Sequence, residues 1–150
     1  MLNIFKFFHL ICGTTFLGII IAEFFYIAHS MSKMDQLLLT YSLKASYFGD
    51  GIIFFLAIIQ LITANELVSA GHFTLTIPWI FIAYHAFAIV ILLWLSVLFI
   101  KVFYLAKSTI SPIASTMFYL LNVIMISLFI IIIHDAVTQS TWFEFLFRNE

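Results

Sequence analysis

Charge is what this chain has least of. Six Lys and Arg and seven Asp and Glu make up 9% of its 150 residues, and the net charge is -1. A water-exposed domain of this size carries about 25% charged residues, so lipid must cover most of this surface. No basic tract is present, which removes the electrostatic footprint of a nucleic-acid partner. The lone Cys12 excludes an intramolecular disulfide and any multi-cysteine zinc or iron–sulfur site. There is no Gly-rich phosphate loop and no serine in a nucleophile-elbow context, so nucleotide binding and hydrolysis find no support. Internal repeats and low-complexity tracts are also missing.

What the chain has is apolar length: 65% hydrophobic residues, 19 of them Phe, and a mean hydropathy of +1.20. Four runs, at about 4–28, 47–68, 77–104 and 113–137, each approach or exceed the ~20 residues that cross a hydrocarbon core. Polar punctuation separates them at Ser30 to Ser46, Asn65 to Thr76 and Lys107 to Pro112. Pro78 and Pro112 fall in first helical turns, where a missing N–H costs little. The first run continues to Ala28 with no small-x-small cleavage site, so it reads as a retained transmembrane helix and not a signal peptide.

These features predict an all-α integral membrane four-helix bundle, up-down-up-down, in the inner (cytoplasmic) membrane of a bacterium. Lys33, Lys44, Lys101 and Lys107 on one side outnumber Lys6 and Arg148 on the other, which puts both termini on the outer, periplasmic side. Residues 138–150, with Trp142, Phe143, Phe145, Leu146 and Phe147, are expected to lie as an interfacial tail.

Counting ~1.5 Å per residue along each span sorts the polar groups by depth. His9, His85, His134 and Asp135 populate the outer half, with His72, Glu66 and Asn65 in the loop above them. Glu23, Asp50 and Lys101 form an inner polar set within about two turns of the cytoplasmic surface. An unpaired charge at the bilayer centre costs ~2.5–3.5 kcal/mol on insertion scales. The inner set therefore reads first as a mutually neutralised structural cluster and second as a proton or ion pathway.

Helical spacing gives each span a polar stripe: His9, Gly13, Phe16, Ile20 and Glu23 on the first, and Phe81, His85, Ala88, Leu92 and Ser96 on the third. Leu120, Val123, Ser127 and His134 align on the fourth, while the neighbours His134 and Asp135 point about 100° apart. Three histidines gathered at one end favour a cofactor over three separate hydrogen-bonded imidazoles. By depth and face, His9 and His85 are the candidate axial ligands of a haem b iron. His134 is the alternate ligand, or with Asp135 a candidate quinone or proton-handling pair. No His-x-x-His or Cys-x-x-Cys spacing suggests a compact zinc or copper cage.

The segment Phe5-Lys6-Phe7-Phe8-His9-Leu10, followed by Phe16 and Gly18, resembles the first helix of the bacterial membrane protoporphyrinogen oxidase family. Pro78-Trp79 and Asp135 extend the resemblance, which also takes in copper-resistance-type membrane domains and small predicted integral membrane proteins. It implies a four-helix haem b protein with His9 as an axial ligand. Where that family has a third-helix Lys, this chain has Tyr84-His85, which would make the ligation bis-histidine. The family's late basic residue on the first helix is replaced by Glu23 and Phe24, and its terminal Lys-Pro by Ala136, Val137 and Thr138. The cations that a carboxylate-bearing tetrapyrrole substrate needs are therefore missing, and the resemblance carries fold and haem without the oxidase activity.

The functional expectation is a haem b redox protein moving electrons between a quinone and a partner or small oxidant. The alternative is an accessory or structural subunit of a larger respiratory membrane complex, and third a proton or ion pathway through Glu23, Asp50 and Lys101. The expected partners are the lipid bilayer and either a larger membrane complex or further copies of the chain in a homo-oligomer.

Overall fold

A computed structural model describes residues 2–33, 35–107 and 111–140. The tail predicted to lie at the interface falls almost entirely outside them. The described chain is all-helical: α1 (Leu2–Ser32), α2 (Gln36–Ala70), α3 (Pro78–Lys107) and α4 (Pro112–Thr138). All four are long and apolar enough to cross a membrane, which marks a multi-pass membrane protein whose apolar surface suits a bilayer.

The helix ends follow local chemistry. Asp35 caps α2 by accepting hydrogen bonds from the backbone N–H groups of Leu37 (2.9 Å) and Leu38 (3.0 Å). Gly71 closes α2 with its N–H on the Leu67 carbonyl, and His72 follows in the left-handed region at φ 54°. Ser111 caps α4 with Pro112 just inside. Left-handed Gln139 (φ 53°) ends it.

One boundary departs from the expectation by a wide margin. The polar segment from Ser30 to Ser46 is not a loop, because α2 starts at Gln36 and runs 35 residues, about 52 Å. The cap at Asp35 starts the helix early. Ser42 and Ser46 then remain helical by donating to the carbonyls of Leu38 and Leu43. Asn65 and Glu66 likewise lie within α2, leaving His72 alone of the three in the following turn.

Neighbouring helices meet in reversed residue order. Along α1 and α2 the meeting pairs are His9 with Thr63, Gly13 with Gln60, Glu23 with Gly49 and Ser30 with Ser42. Along α1 and α4 they are Phe16 with Phe129, Phe24 with Phe118 and Met31 with Ser115. Asn65 meets Tyr84 and Asp50 meets Trp94 across α2 and α3. α1 packs chiefly on α2 and α3 chiefly on α4, so the bundle is two hairpins laid together.

All four helices contribute to a central apolar layer of Phe16, Ile20, Ile53, Val90, Trp94, Met125 and Phe129. Phe16 is its hub, completely buried, with its ring 5.0 Å from Phe129 and 6.1 Å from Phe87. A second apolar cluster, towards the α1–α2 turn, joins Ile27, Met31, Leu39, Leu43, Val97, Tyr104 and Phe118. In lipid such layers hold by close packing, because tails outside are as apolar as the core within.

The stripe predicted for α1 faces inward as its spacing implied. The stripes chosen for α3 and α4 do not: Phe81, His85, Ala88, Leu92 and Ser96 face outward, as do Leu120, Val123 and Ser127. The buried positions are Ile80, Ala86, Val90, Trp94, Val97, Lys101 and Tyr104 on α3, and Phe118, Asn122, Met125, Phe129 and Asp135 on α4. Both helices are apolar all round, so hydrophobicity alone sets no phase.

Candidate functional site

Three ionisable residues from three helices meet just beneath the central apolar layer. Lys101, 2% exposed, reaches from α3 between two carboxylates. Its Nζ donates to Glu23 Oε2 of α1 at 2.6 Å, and to both oxygens of Asp50 of α2, at 3.0 Å (Oδ1) and 2.9 Å (Oδ2). Trp94, seven residues before Lys101 and therefore on the same face of α3, donates its indole N–H to Asp50 Oδ1 at 2.9 Å. α4 brings no carboxylate or amine to this depth. Its Asn122 is buried, with the amide donating to the Phe118 carbonyl at 2.8 Å.

The three acceptor contacts exhaust the donors of one ammonium. Glu23 Oε1 is left buried without a partner. With both acids ionised and the lysine charged, the cluster carries one net negative charge in a medium that stabilises charge poorly. Adding one proton makes it neutral.

Gly49 is the reason Glu23 fits. A Cβ at that position would run into Glu23 Oε1 and come within 3.1 Å of the Ile19 side chain. To make room the glutamate would have to move its Oε1 while its Oε2 is held by Lys101. Gly49→Ala is accordingly expected to destabilise the fold by about 1–3 kcal/mol. Most of that loss should vanish in a Glu23→Ala background. Detergent-based unfolding of the four members of this double-mutant cycle measures the coupling.

The histidines lie elsewhere, and His9 and His85 face different ways. His9 is held by α2: Gln60 Nε2 donates to its Nε2 at 3.0 Å, and its Nδ1 lies 3.0 Å from Thr63 Oγ1. The Thr63 hydroxyl donates to the Ile59 carbonyl, so it accepts from His9, and both ring nitrogens are occupied. His85 lies on the outward face of α3, its Nδ1 on its own Phe81 carbonyl at 2.8 Å and its ring 4.0 Å from the Phe81 ring. His134 sits 3.0 Å from Asp135 Oδ1, so these sequence neighbours do pair despite their offset on the helix. Asp135 is completely buried, and its Oδ2 has no partner.

This arrangement does not suit a bis-imidazole haem. One expected ligand points at α2 with both nitrogens engaged, and the other points out of the bundle. Among the described residues no three His, Cys, Asp or Glu side chains converge as a metal-ligand set. An open apolar groove of about 730 Å³ does exist between α3 and α4, lined by Leu92, Phe99, Phe103, Met117 and Leu121 among others, but it opens outward, away from the acids.

Trp94, Gln60 and Thr63 were not among the residues singled out from the sequence. Trp94 had a legible signal, lying two turns before Lys101. Gln60 and Thr63 had none, since their role depends on which face of α1 meets α2. No protein-family model matches the chain, and neither a curated protein nor a solved structure matches it.

Proposed function

We propose that this protein is a proton-responsive membrane protein whose working centre is the Glu23–Lys101–Asp50 cluster. The observation that supports this reading is an ammonium shared between two buried carboxylates that leaves a carboxylate oxygen, Glu23 Oε1, without a partner. Ionisable groups inside a bilayer are costly and usually functional, and one proton on this cluster cancels its net charge. The haem b and quinone reading of His9, His85, His134 and Asp135 has no comparable support, because His9 is engaged by α2 and His85 lies on the outward face of α3.

In this reading the helices cross a bacterial cytoplasmic membrane up-down-up-down with both termini outside. Lys101 is ion-paired in the core and leaves the count of flanking cations. Lys33, Lys44 and Lys107 then oppose Lys6 and Arg148, and the α1–α2 turn faces the cytoplasm.

Infrared difference spectroscopy against pH tests the proposal. A protonated-carboxyl band is expected to grow in as pH falls in the wild-type protein, and to be lost in Glu23→Gln. A permanently ionised, structural cluster would give no such band, and the proposal would then be wrong.

A further inference from the structure

Polar groups are distributed unevenly on the two sides of the cluster. Towards the α4 C-terminus lies the apolar layer of Phe16, Ile20, Ile53, Val90, Trp94, Met125 and Phe129, to which every helix contributes. Its side chains hold one polar group, the Trp94 indole N–H, and that is spent on Asp50. Towards the α1–α2 turn the interior holds buried hydroxyls instead. Ser46, Ser42 and Ser30 are 5%, 0% and 0% exposed, and Tyr104 is 3% exposed.

These hydroxyls are spaced as a series. Ser46 lies one turn from Asp50 on α2, and Ser42 one turn further. Ser42 Oγ is 2.5 Å from Ser30 Oγ across the α1–α2 contact. Each serine also donates to a carbonyl of its own helix: Ser46 to Leu43, Ser42 to Leu38 and Ser30 to Tyr26. A hydroxyl has one hydrogen, so in the Ser30–Ser42 pair one hydrogen must choose between a carbonyl and the neighbouring oxygen. That choice is the two-position donor a proton relay requires.

The independent observation is Tyr104. It lies one turn from Lys101 on the same face of α3, and its hydroxyl is buried without any partner. A buried phenol hydroxyl normally finds one. Its surroundings include Ile27, Leu39 and Leu43, which cannot bond to it, and Tyr119, whose hydroxyl already donates to the Ala28 carbonyl, so water is the partner that the site calls for.

We propose that Ser30, Ser42, Ser46 and Tyr104 form a water-assisted half-channel. It carries protons between the α1–α2 turn side of the membrane and the Glu23–Asp50–Lys101 cluster, and the Phe16–Phe129 layer closes it on the other side. This rests on the proton-responsive reading above. The proton comes from hydronium on that side, which is left as water; at each relaying oxygen one O–H bond forms as another breaks, and the last O–H bond forms on a Glu23 carboxylate oxygen. The groups facing Glu23 are Asp50, with Tyr47 close to that acid, from α2, and Lys101 from α3. On α4 the titratable side chain nearest this depth is Tyr119, whose hydroxyl donates to the Ala28 carbonyl at 3.3 Å.

Single-cysteine access measures the route without reference to protonation. In a Cys12→Ser background, Ser46→Cys is expected to react with a membrane-impermeant thiol reagent from the α1–α2 turn side only. Ile53→Cys, in the apolar layer, should react from neither side. Tyr104→Phe, which keeps the ring, should slow hydrogen–deuterium exchange of the Glu23 carboxyl band by about tenfold, the factor one hydrogen bond is worth. Should Ser46→Cys be inert from both sides, or Ile53→Cys react, the half-channel is wrong even if Glu23 still titrates. Labelled Ser46→Cys with a silent Glu23 would instead overturn the proton-responsive reading and keep the water path.

Discussion

Replacing Lys101 with methionine is expected to cost about 3–5 kcal/mol, the range for removing one partner of a buried ion pair. Two carboxylates that now share its ammonium would be left facing each other, with only the Trp94 indole to satisfy one of them. Methionine follows the lysine stem as an unbranched chain one atom shorter, so the loss is chiefly one of charge and not of packing. Unfolding in mixed micelles should show it as a large fall in the midpoint. The triple variant Lys101→Met, Glu23→Gln, Asp50→Asn should recover much of it, because an uncharged cluster of similar volume is often as stable as the ion-paired one. If the single variant is as stable as the wild type, the cluster is not formed in the folded protein.

The second large effect is expected at Phe16. Its ring is completely buried and touches Phe87 and Phe129. Phe16→Ala should cost about 3 kcal/mol, the low end for buried Phe→Ala changes. The low end applies because a membrane helix separated from its partners meets lipid and not water. Phe48→Ala is the control: at 79% exposed its ring already lies outside the bundle, and the change should stay within about 0.5 kcal/mol. Phe16→Ala also opens the apolar seal, so an Ile53→Cys that becomes reactive in that background would tie the seal to this ring.

These two sites show how far the sequence could be read. Helix number and the inward face of α1 were legible because Glu23 and Phe16 share one spacing with Ile20. On α3 the same logic was available through Lys101: Trp94, Val97 and Tyr104 lie at seven, four and three residues from it. The stripe built on His85 used the wrong anchor. An imidazole is at ease on an outward face near a helix end, bonded to the Phe81 carbonyl of its own helix, whereas an ammonium set in apolar sequence turns inward to the two acids. α2 was read too short because hydroxyls count as polar in a hydropathy scan. In a helix they can satisfy themselves on carbonyls one turn back, as Ser42 does. Glu23 meeting Gly49 depends on helix register, which a chain this evenly apolar does not encode in pattern.

The division into two hairpins bears on how the molecule is made. The α1–α2 hairpin is synthesised first and brings Glu23 and Asp50 into one membrane-embedded pair. Their ammonium lies 51 residues beyond Asp50, about 3–10 s of translation. Until Lys101 emerges, the nascent hairpin carries two acids with no cation. Protonation by the surrounding water or shelter within the insertion machinery must hold them. Assembly is therefore completed not by the last helix to fold but by one side chain arriving late in the third.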